Sequence, residues 1–368
     1  MEATTQKIDL INIDKSNWET FRFEEIVSKI SESVDPNSTT LETYVGLEHL
    51  DAEDLHIRRK GTPDDVSGGK LKCYPGDVIF GKRRAYQRKA AIVDFEGICS
   101  AHAFVFRANA EIIDPKLFPF FLHSDKFMHR MVDISVGGLS PTINWGDLKH
   151  QEFLLPPKDQ QAQLAELLWA MDEVIERERE VLQKANIIKE SLFRKFTKQG
   201  NNWTRYKIGD LMKFNYGSAL KESVRIEGNY SVITSSGYQG THIEYLTEGP
   251  GIVVGRKGNV GQVTWVENNF WTTDTAYVIQ INSKFEHIPL KFFYYLLIAA
   301  DLKKHSIATA VPGLNRDDAL MTKIFLPGKE ELNSYLGKFN MLDAKILEVE
   351  TKIATSQSLQ KSLINQIF

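Results

Sequence analysis

The stretch Gly76-Asp77-Val78-Ile79-Phe80-Gly81-Lys82-Arg83 comes close to the spacing of a nucleotide phosphate loop. In such a loop, backbone N–H groups and a lysine hold phosphates and a following Ser or Thr holds magnesium. Here Arg83 occupies the hydroxyl position, and Val78-Ile79-Phe80 reads as a strand where the loop must turn, so nucleotide binding is not expected. The counterpart in the second half, ending Gly255-Arg256-Lys257, keeps the strand and abandons the pattern. The nine histidines form neither a His-Glu-x-x-His pair nor a His/Cys set of metal-ligand spacing. No Gly-x-Ser-x-Gly turn presents a nucleophile, and no Asn-Pro-Pro-Tyr or Asp-Pro-Pro-Tyr of the amino-methyltransferase kind occurs. Asp and Glu total 48, with no pair that the spacing singles out. The expectation is a chain with no catalytic residue, no metal site and no cofactor of its own.

Binding chemistry is better represented. Lys82-Arg83-Arg84-Ala85-Tyr86-Gln87-Arg88-Lys89 carries five basic residues in eight, no acid, one aromatic and one Gln, directly after a strand. Arg reads guanine bidentately, Gln reads adenine, and Lys suits phosphates. The matching loop Arg256-Lys257-Gly258-Asn259 is shorter and also lacks acids. Ser236, Tyr238 and Gln239, within the polar stretch 235–242, and the run His56-Ile57-Arg58-Arg59-Lys60 are further candidates for contacting bases. Each of these runs also has a plain reading as a solvated charged or polar loop.

A net charge of −3, from 45 Lys and Arg against 48 Asp and Glu, excludes a global positive field. DNA binding would have to rest on local charge or on charge supplied by partners. Apolar residues at 42% and charged residues at 25% describe an ordinary globular chain. Residues 1–17 alternate polar and apolar without the apolar core of a signal peptide, and 292–300 is too short to span a bilayer. Cys73 and Cys99 allow one bridge at most and no four-thiolate zinc site. These features lead to an expectation of a cytoplasmic protein with no membrane partner.

The elements that must position these loops are duplicated. Trp18, Phe21, Phe23, Glu25 and Ile26 match Trp203, Tyr206, Ile208, Asp210 and Leu211 at an offset of 185. Residues 78–83 match 252–257 at an offset of 174, and Pro115, Phe118 and Leu122 match Pro289, Phe292 and Leu296 at the same offset. From Val136 onward the offset is 171 without a gap, carrying Pro141, Asn144, Asp147, Leu155, Pro156, Asp172 and Ile175 onto Pro312, Asn315, Asp318, Leu326, Pro327, Asp343 and Ile346. The stretch Ser140-Pro141-Thr142-Ile143-Asn144 recurs as Val311-Pro312-Gly313-Leu314-Asn315. Being common to both copies, it reads as structural and not as sequence-reading. The halves differ in length mainly between Phe23 and Val78, where insertions into surface loops belong.

Each half ends in a long helix. No Gly or Pro occurs from Lys158 to Gln199, and only Gly337 interrupts Lys329 to Phe368. The first stretch has a heptad seam at Leu164, Leu168, Met171, Ile175, Glu178, Leu182, Ala185, Lys189, Leu192 and Phe196. The second repeats it in register at Tyr335, Phe339, Leu342, Ile346, Val349, Ile353, Ser356, Gln360, Leu363 and Ile367. Either each helix lies on its own globular domain or the two seams pair. A helix of this length spans about 60 Å, against about 30–35 Å for such a domain, which favours pairing, and connectivity then makes the pair antiparallel. Glu178, Lys189, Ser356 and Gln360 interrupt the seam; they either fix register or mark a partner's docking site.

Between the helices, 17–157 and 201–328 read as mixed α/β, with strand-like runs at 78–80, 103–106, 251–254 and 277–280. Helical segments are expected near 117–132 and 290–305, their aromatics forming core. The fold class expected is α+β: two mixed α/β globular domains related by a pseudo-two-fold axis, separated by two long antiparallel helices forming a coiled coil. The domain bounds are 1–157 and 200–328, and the helices 158–199 and 329–368.

Over essentially its full length the chain resembles the specificity subunits of type I restriction–modification systems. The features that carry this are Gly-Asp-Val-Ile-Phe at 76–80, Gly-Ile-Cys-Ser at 97–100 and Gly138-Leu-Ser-Pro-Thr-Ile-Asn-Trp-Gly-Asp-Leu148. They are followed by Leu-Leu-Pro-Pro at 154–157, Gln160-Gln161 and Ser-Leu-Phe-Arg-Lys-Phe at 191–196. The second copy departs from the pattern at Gly313-Leu-Asn-Arg-Asp-Asp318 and at Gly328. The resemblance implies two target-recognition domains, each reading half of a bipartite site in double-stranded DNA. The paired helices would set the gap and dock two methyltransferase subunits, with an endonuclease/translocase subunit as an optional addition. S-adenosylmethionine and ATP with magnesium would belong to those partners. The rival readings are a coiled-coil interaction scaffold without a DNA role and an enzyme whose site lies between head and helix.

Overall fold

Short apolar runs bounded by Gly and Asp become the central strands of two similar sheets. The computed structural model describes residues 13–198, 200, 203–307 and 312–368. Most of the N-terminal segment considered above, and Val311, lie outside them. The chain divides into two units, Met1–Glu180 with Val349–Phe368, and Val181–Glu348.

In the first unit a four-stranded antiparallel sheet runs in the order Val27–Ile30, Ala103–Ala108, Val78–Gly81, Ala90–Ile92. Val78–Gly81 is buried along its whole length because both faces are covered. Val78 and Phe80 join Phe104 and Phe106 in the core under the helices. Ile79 and Val105 face a second sheet of Ser33–Val34, Lys70–Cys73, Gly97–Cys99 and Tyr44–Val45. Cys73 and Cys99 are buried free thiols there. The helical segment expected near 117–132 is two helices, Phe118–His123 and Asp125–Asp133. Ser124 divides them: its hydroxyl donates to Phe121 O at 2.8 Å and accepts from Phe127 N–H at 3.2 Å, capping the second helix. Phe118, Phe120 and Phe121 are core.

The second unit repeats the frame. Its sheet runs Met212–Tyr216, Ala276–Ile281, Gly251–Gly255, Val263–Val266, again antiparallel throughout. Ile252 and Val254 face the larger core and Val253 the smaller one. The second sheet has three strands, Gly237–His242, Tyr230–Thr234 and Phe270–Thr272. This is the region where the halves differ in length. In both units a two-stranded ladder, Glu19–Arg22 with Glu152–Leu155 and Thr204–Lys207 with Lys323–Leu326, leads into the long helix. Leu290–Ala300 buries Phe292, Phe293 and Tyr295 and leaves Tyr294 half-buried.

The long helices are Lys158–Thr197 and Lys329–Ile367. None of the twenty seam positions is exposed. Within the first unit Leu164 and Leu168 share a core with Leu363, Ile364, Ile367 and Phe368. Within the second unit the Phe193 and Phe339 rings are 4.5 Å apart and those of Phe196 and Tyr335 5.1 Å apart. As one number rises the other falls, so the two helices pack antiparallel. The expected fold class therefore holds.

Candidate nucleic-acid interface

The loop after the central strand and the Pro-x-x-Asn stretch, whose repeats run at different offsets, clasp each other identically in both units. In the first, Arg84 N–H donates to Pro141 O at 2.7 Å, Ile143 N–H donates to Lys82 O at 2.9 Å, and Arg83 pairs with Thr142 as an antiparallel bridge. In the second, Gly258 N–H donates to Pro312 O at 3.0 Å, Leu314 N–H donates to Arg256 O at 2.8 Å, and Lys257 pairs with Gly313. These backbone bonds tie each cationic loop to the Pro-x-x-Asn stretch of its own unit. The Asn that ends each stretch starts a short helix, with Asn315 Oδ1 accepting from Asp318 N–H at 3.2 Å.

Within the first loop the candidate residues separate by contact. Arg83, Arg84 and Tyr86 are exposed, and neither arginine has an acidic partner among the described residues. Arg84 donates to Ser140 Oγ at 3.1–3.2 Å. Lys82 lies 5.2 Å above the Phe104 ring; burial and the neighbouring Lys29 hold its pKa below the ordinary lysine value. Gln87 is half-buried. Arg88 turns inward, reaching Glu53 at 2.6 Å, Asp125 at 2.7 Å and His123 O at 3.2 Å. Lys89 Nζ donates to Leu47 O at 2.6 Å. These last two side chains tie the loop to its own unit.

In the second unit Asn259 Nδ2 donates to Ser236 Oγ at 3.1 Å, which brings together two stretches that the sequence left separate. Lys257 and Gln239 are exposed. Tyr238 is exposed as well, with its hydroxyl on Trp265 O at 3.1 Å. Arg256 donates to Asp274 O at 2.7 Å and lies 4.8 Å from the Tyr216 ring. Arg316 approaches the same ring at 5.5 Å. Tyr216, Arg256, Lys257, Tyr277 and Arg316 line an open cavity of about 360 Å³. Sequence reasoning missed Tyr216 and Arg316. Arg316 occupies the repeat position of Trp145, so a search for shared residues passes over it. The first unit has its own version of this pairing, with Lys29 5.5 Å above Trp145 beside Lys82 and Phe104.

The run 56–60 does something else. His56 Nε2 lies 2.8 Å from Asp172 Oδ2, Arg58 holds Asp54 and Glu176, Arg59 pairs with Asp51, and Lys60 reaches Asp94 at 3.1 Å. His56 and Arg58 dock the longer loop of the first unit onto its helix segment, while Arg59 and Lys60 pair with acids outside that helix. Among the described residues no group of three or more His, Cys, Asp or Glu could hold a metal, and no helix is long and apolar enough to cross a membrane.

The family model for the type I restriction modification DNA specificity domain matches residues 15–186 and again 200–367. A curated relative, the type I restriction enzyme EcoDI specificity subunit of Escherichia coli, is 26% identical over 220 residues, 58% of this chain and 49% of the relative. The chain thus spans about half the length of the curated relative it matches. Among solved structures, the S subunit of a type I restriction–modification system from M. genitalium superposes with a TM-score of 0.68 at 16% identity, covering 98% of this chain and 99% of that one. A chain from a study of complex assembly and conformational transition of the type I R-M system gives 0.52 at 17% identity, with 96% of both chains covered. At such identities these two likenesses speak for the fold alone. The family model, which covers nearly all of both halves, is what places the chain: it belongs to the type I restriction–modification DNA specificity family, as a specificity subunit built from two copies of that domain.

Proposed function

We propose that each unit reads one half of a bipartite site in double-stranded DNA, with 1–157 and 200–328 as the recognition domains. The helices 158–199 and 329–368 set the gap between the half-sites and dock two methyltransferase subunits, to which an endonuclease/translocase subunit can add. The chain itself performs no chemistry and works in the cytoplasm. S-adenosylmethionine, and ATP with magnesium, act on the partners.

The observation that carries this reading is the repeated clasp, which presents an acid-free cationic loop beside aromatic rings in both units. Arg83 and Arg84 in one unit, and Lys257, Arg256 and Arg316 in the other, supply the donors that phosphates and guanine edges take. Exposed Val174, Ile187, Ile188, Met341 and Leu359, outside the helix seams, support a protein partner along the helices. The net charge of −3 fits a subunit whose partners share the phosphate contacts.

The test is co-expression with the methyltransferase subunit of the same system, followed by genome-wide mapping of methylated adenines. A split motif that requires this chain is the expected result. Arg83→Ala should then relax one half-site and Lys257→Ala with Arg316→Ala the other. Methylation that is unchanged without the chain would overturn the proposal and leave the scaffold reading.

A further inference from the structure

Residues 136–142 close on themselves beside the cationic loop of the first unit. Val136 N–H donates to Thr142 O at 3.1 Å and Thr142 N–H to Val136 O at 2.9 Å. Gly137 sits at φ +115°, a conformation that glycine adopts without strain. At the tip of this turn Leu139 is 96% exposed, more than any other large apolar residue described, and Val136 beside it is 58% exposed.

A lone exposed leucine is ordinary on a protein surface. The turn that carries this one is tied to the cationic loop. The bond from Arg84 N–H to Pro141 O, the bridge from Arg83 to Thr142 and the Arg84 guanidinium on Ser140 Oγ lock the tip to the loop. The result is a narrow apolar point flanked by two arginines without acidic partners among the described residues. That combination suits a polyanion whose apolar interior can be reached from its surface, namely the stacked base pairs of a duplex. Apolar wedges set among cations unstack base steps in this way, and the bend they cause brings further phosphates within reach. We propose that Leu139 enters the duplex between two adjacent base pairs while Arg83 and Arg84 hold the phosphates beside the opened step. The inference rests on the DNA reading above and adds a deformation of the site to it.

The experiment uses the full chain co-expressed with its methyltransferase subunits and duplexes selected from a random library by the wild-type complex. 2-Aminopurine is placed at successive positions of the half-site that Arg83→Ala weakens. The wild-type complex should raise its fluorescence at one step. Leu139→Ala should abolish the rise and weaken binding roughly ten- to hundred-fold, the worth of one buried leucine side chain, while Leu139→Phe should retain both. Because Leu139 packs against nothing, the Ala variant should melt like wild type. If the wild-type complex selects no duplex, the DNA reading falls and the wedge falls with it. If it selects one but shows no fluorescence rise, or if Leu139→Ala behaves as wild type, the wedge alone is overturned. Loss of the methyltransferase subunits from the Leu139→Ala complex also overturns it, since the tip would then contact protein.

Discussion

Lys189 Nζ lies 2.5 Å from Asp343 Oδ1, joining the two long helices within the second unit. The repeat places Gln360 and Asp172 at the corresponding positions of the first unit, yet those two go separate ways. Gln360 Nε2 donates to Leu168 O at 3.2 Å, and Asp172 takes His56. Two of the four polar seam residues therefore have a local structural purpose: each bridges the helix pair, one through a charge and one through a backbone carbonyl. Asp343 also accepts from the Tyr295 hydroxyl at 2.7 Å, and Tyr295 is wholly buried. Burial, and then the carboxylate, push that phenol's pKa well above the ordinary tyrosine value.

Replacing Asp343 should accordingly disturb more than one ion pair. Asp343→Ala leaves the Tyr295 hydroxyl with only Asn340 Oδ1 at 3.2 Å and strips Lys189 of its partner. The expected loss is about 2–4 kcal/mol, read as a lower denaturant midpoint. Asp343→Asn keeps an acceptor for Tyr295 and should lose about 1 kcal/mol. Equal losses for the two variants would show that the tyrosine bond contributes nothing.

Arg88 makes a contrasting case. Its guanidinium is shared among Glu53, Asp125 and His123 O, so Arg88→Ala takes a charged donor from all three, leaving Glu53 with Lys361 and Asp125 with Asn365. Stability should fall by about 1–2 kcal/mol, and Arg88→Lys should restore little of it because a single ammonium cannot serve a forked site. The bases preferred by the complex should not change. A new base preference in an otherwise stable Arg88→Ala complex would return this residue to the reading surface.

Gly337 offers a gain. It is the one glycine within the second long helix, it is exposed, and a Cβ there meets no atom within 4 Å. Gly337→Ala should stabilise the chain by about 0.5–1 kcal/mol through helix propensity and a less flexible unfolded state. No gain in denaturant midpoint would mean that helix propensity does not limit stability at this position.

Periodicity is a property of the sequence itself, which is why the helices, the heptad seam and the duplicated frame could be read from it. Val78-Ile79-Phe80 was likewise legible as a strand, since a continuous apolar run signals burial on both faces. The candidate site was legible only as composition. Arg83 and Arg88 are alike in sequence, and their fates are decided by Glu53 and Asp125, which lie 35 and 37 residues from Arg88 along the chain. Tyr216 and Arg316 meet across a still greater separation, and no short-range pattern announces such a contact. The pairing of residues 82–84 with 141–143 was similarly hidden, because each segment repeats at its own offset.

His56 gives the first unit a pH dependence whose sign follows from its surroundings. Its hydrogen bond to Asp172 favours the imidazolium, burial opposes it, the charges of Asp172 and Glu176 favour it further, and Arg58 opposes it. The net result is a pKa raised above the ordinary value of 6.5. A group whose folded pKa lies above its unfolded one stabilises fully below the unfolded value and loses that contribution as pH rises through the folded value. Unfolding midpoints measured between pH 6 and pH 9 should thus decline from just above 6.5, and His56→Gln should flatten the decline. Glu176 works in the opposite range: its hydrogen bond from Arg58, ahead of burial, holds its pKa below the usual glutamate value of 4.5. Its contribution is complete above that value and is lost as pH falls through the lowered one, so acid denaturation should begin earlier in Arg58→Ala. A His56→Gln profile as steep as that of wild type would assign the alkaline decline to another group and leave the His56–Asp172 contact without a role in holding the loop to the helix.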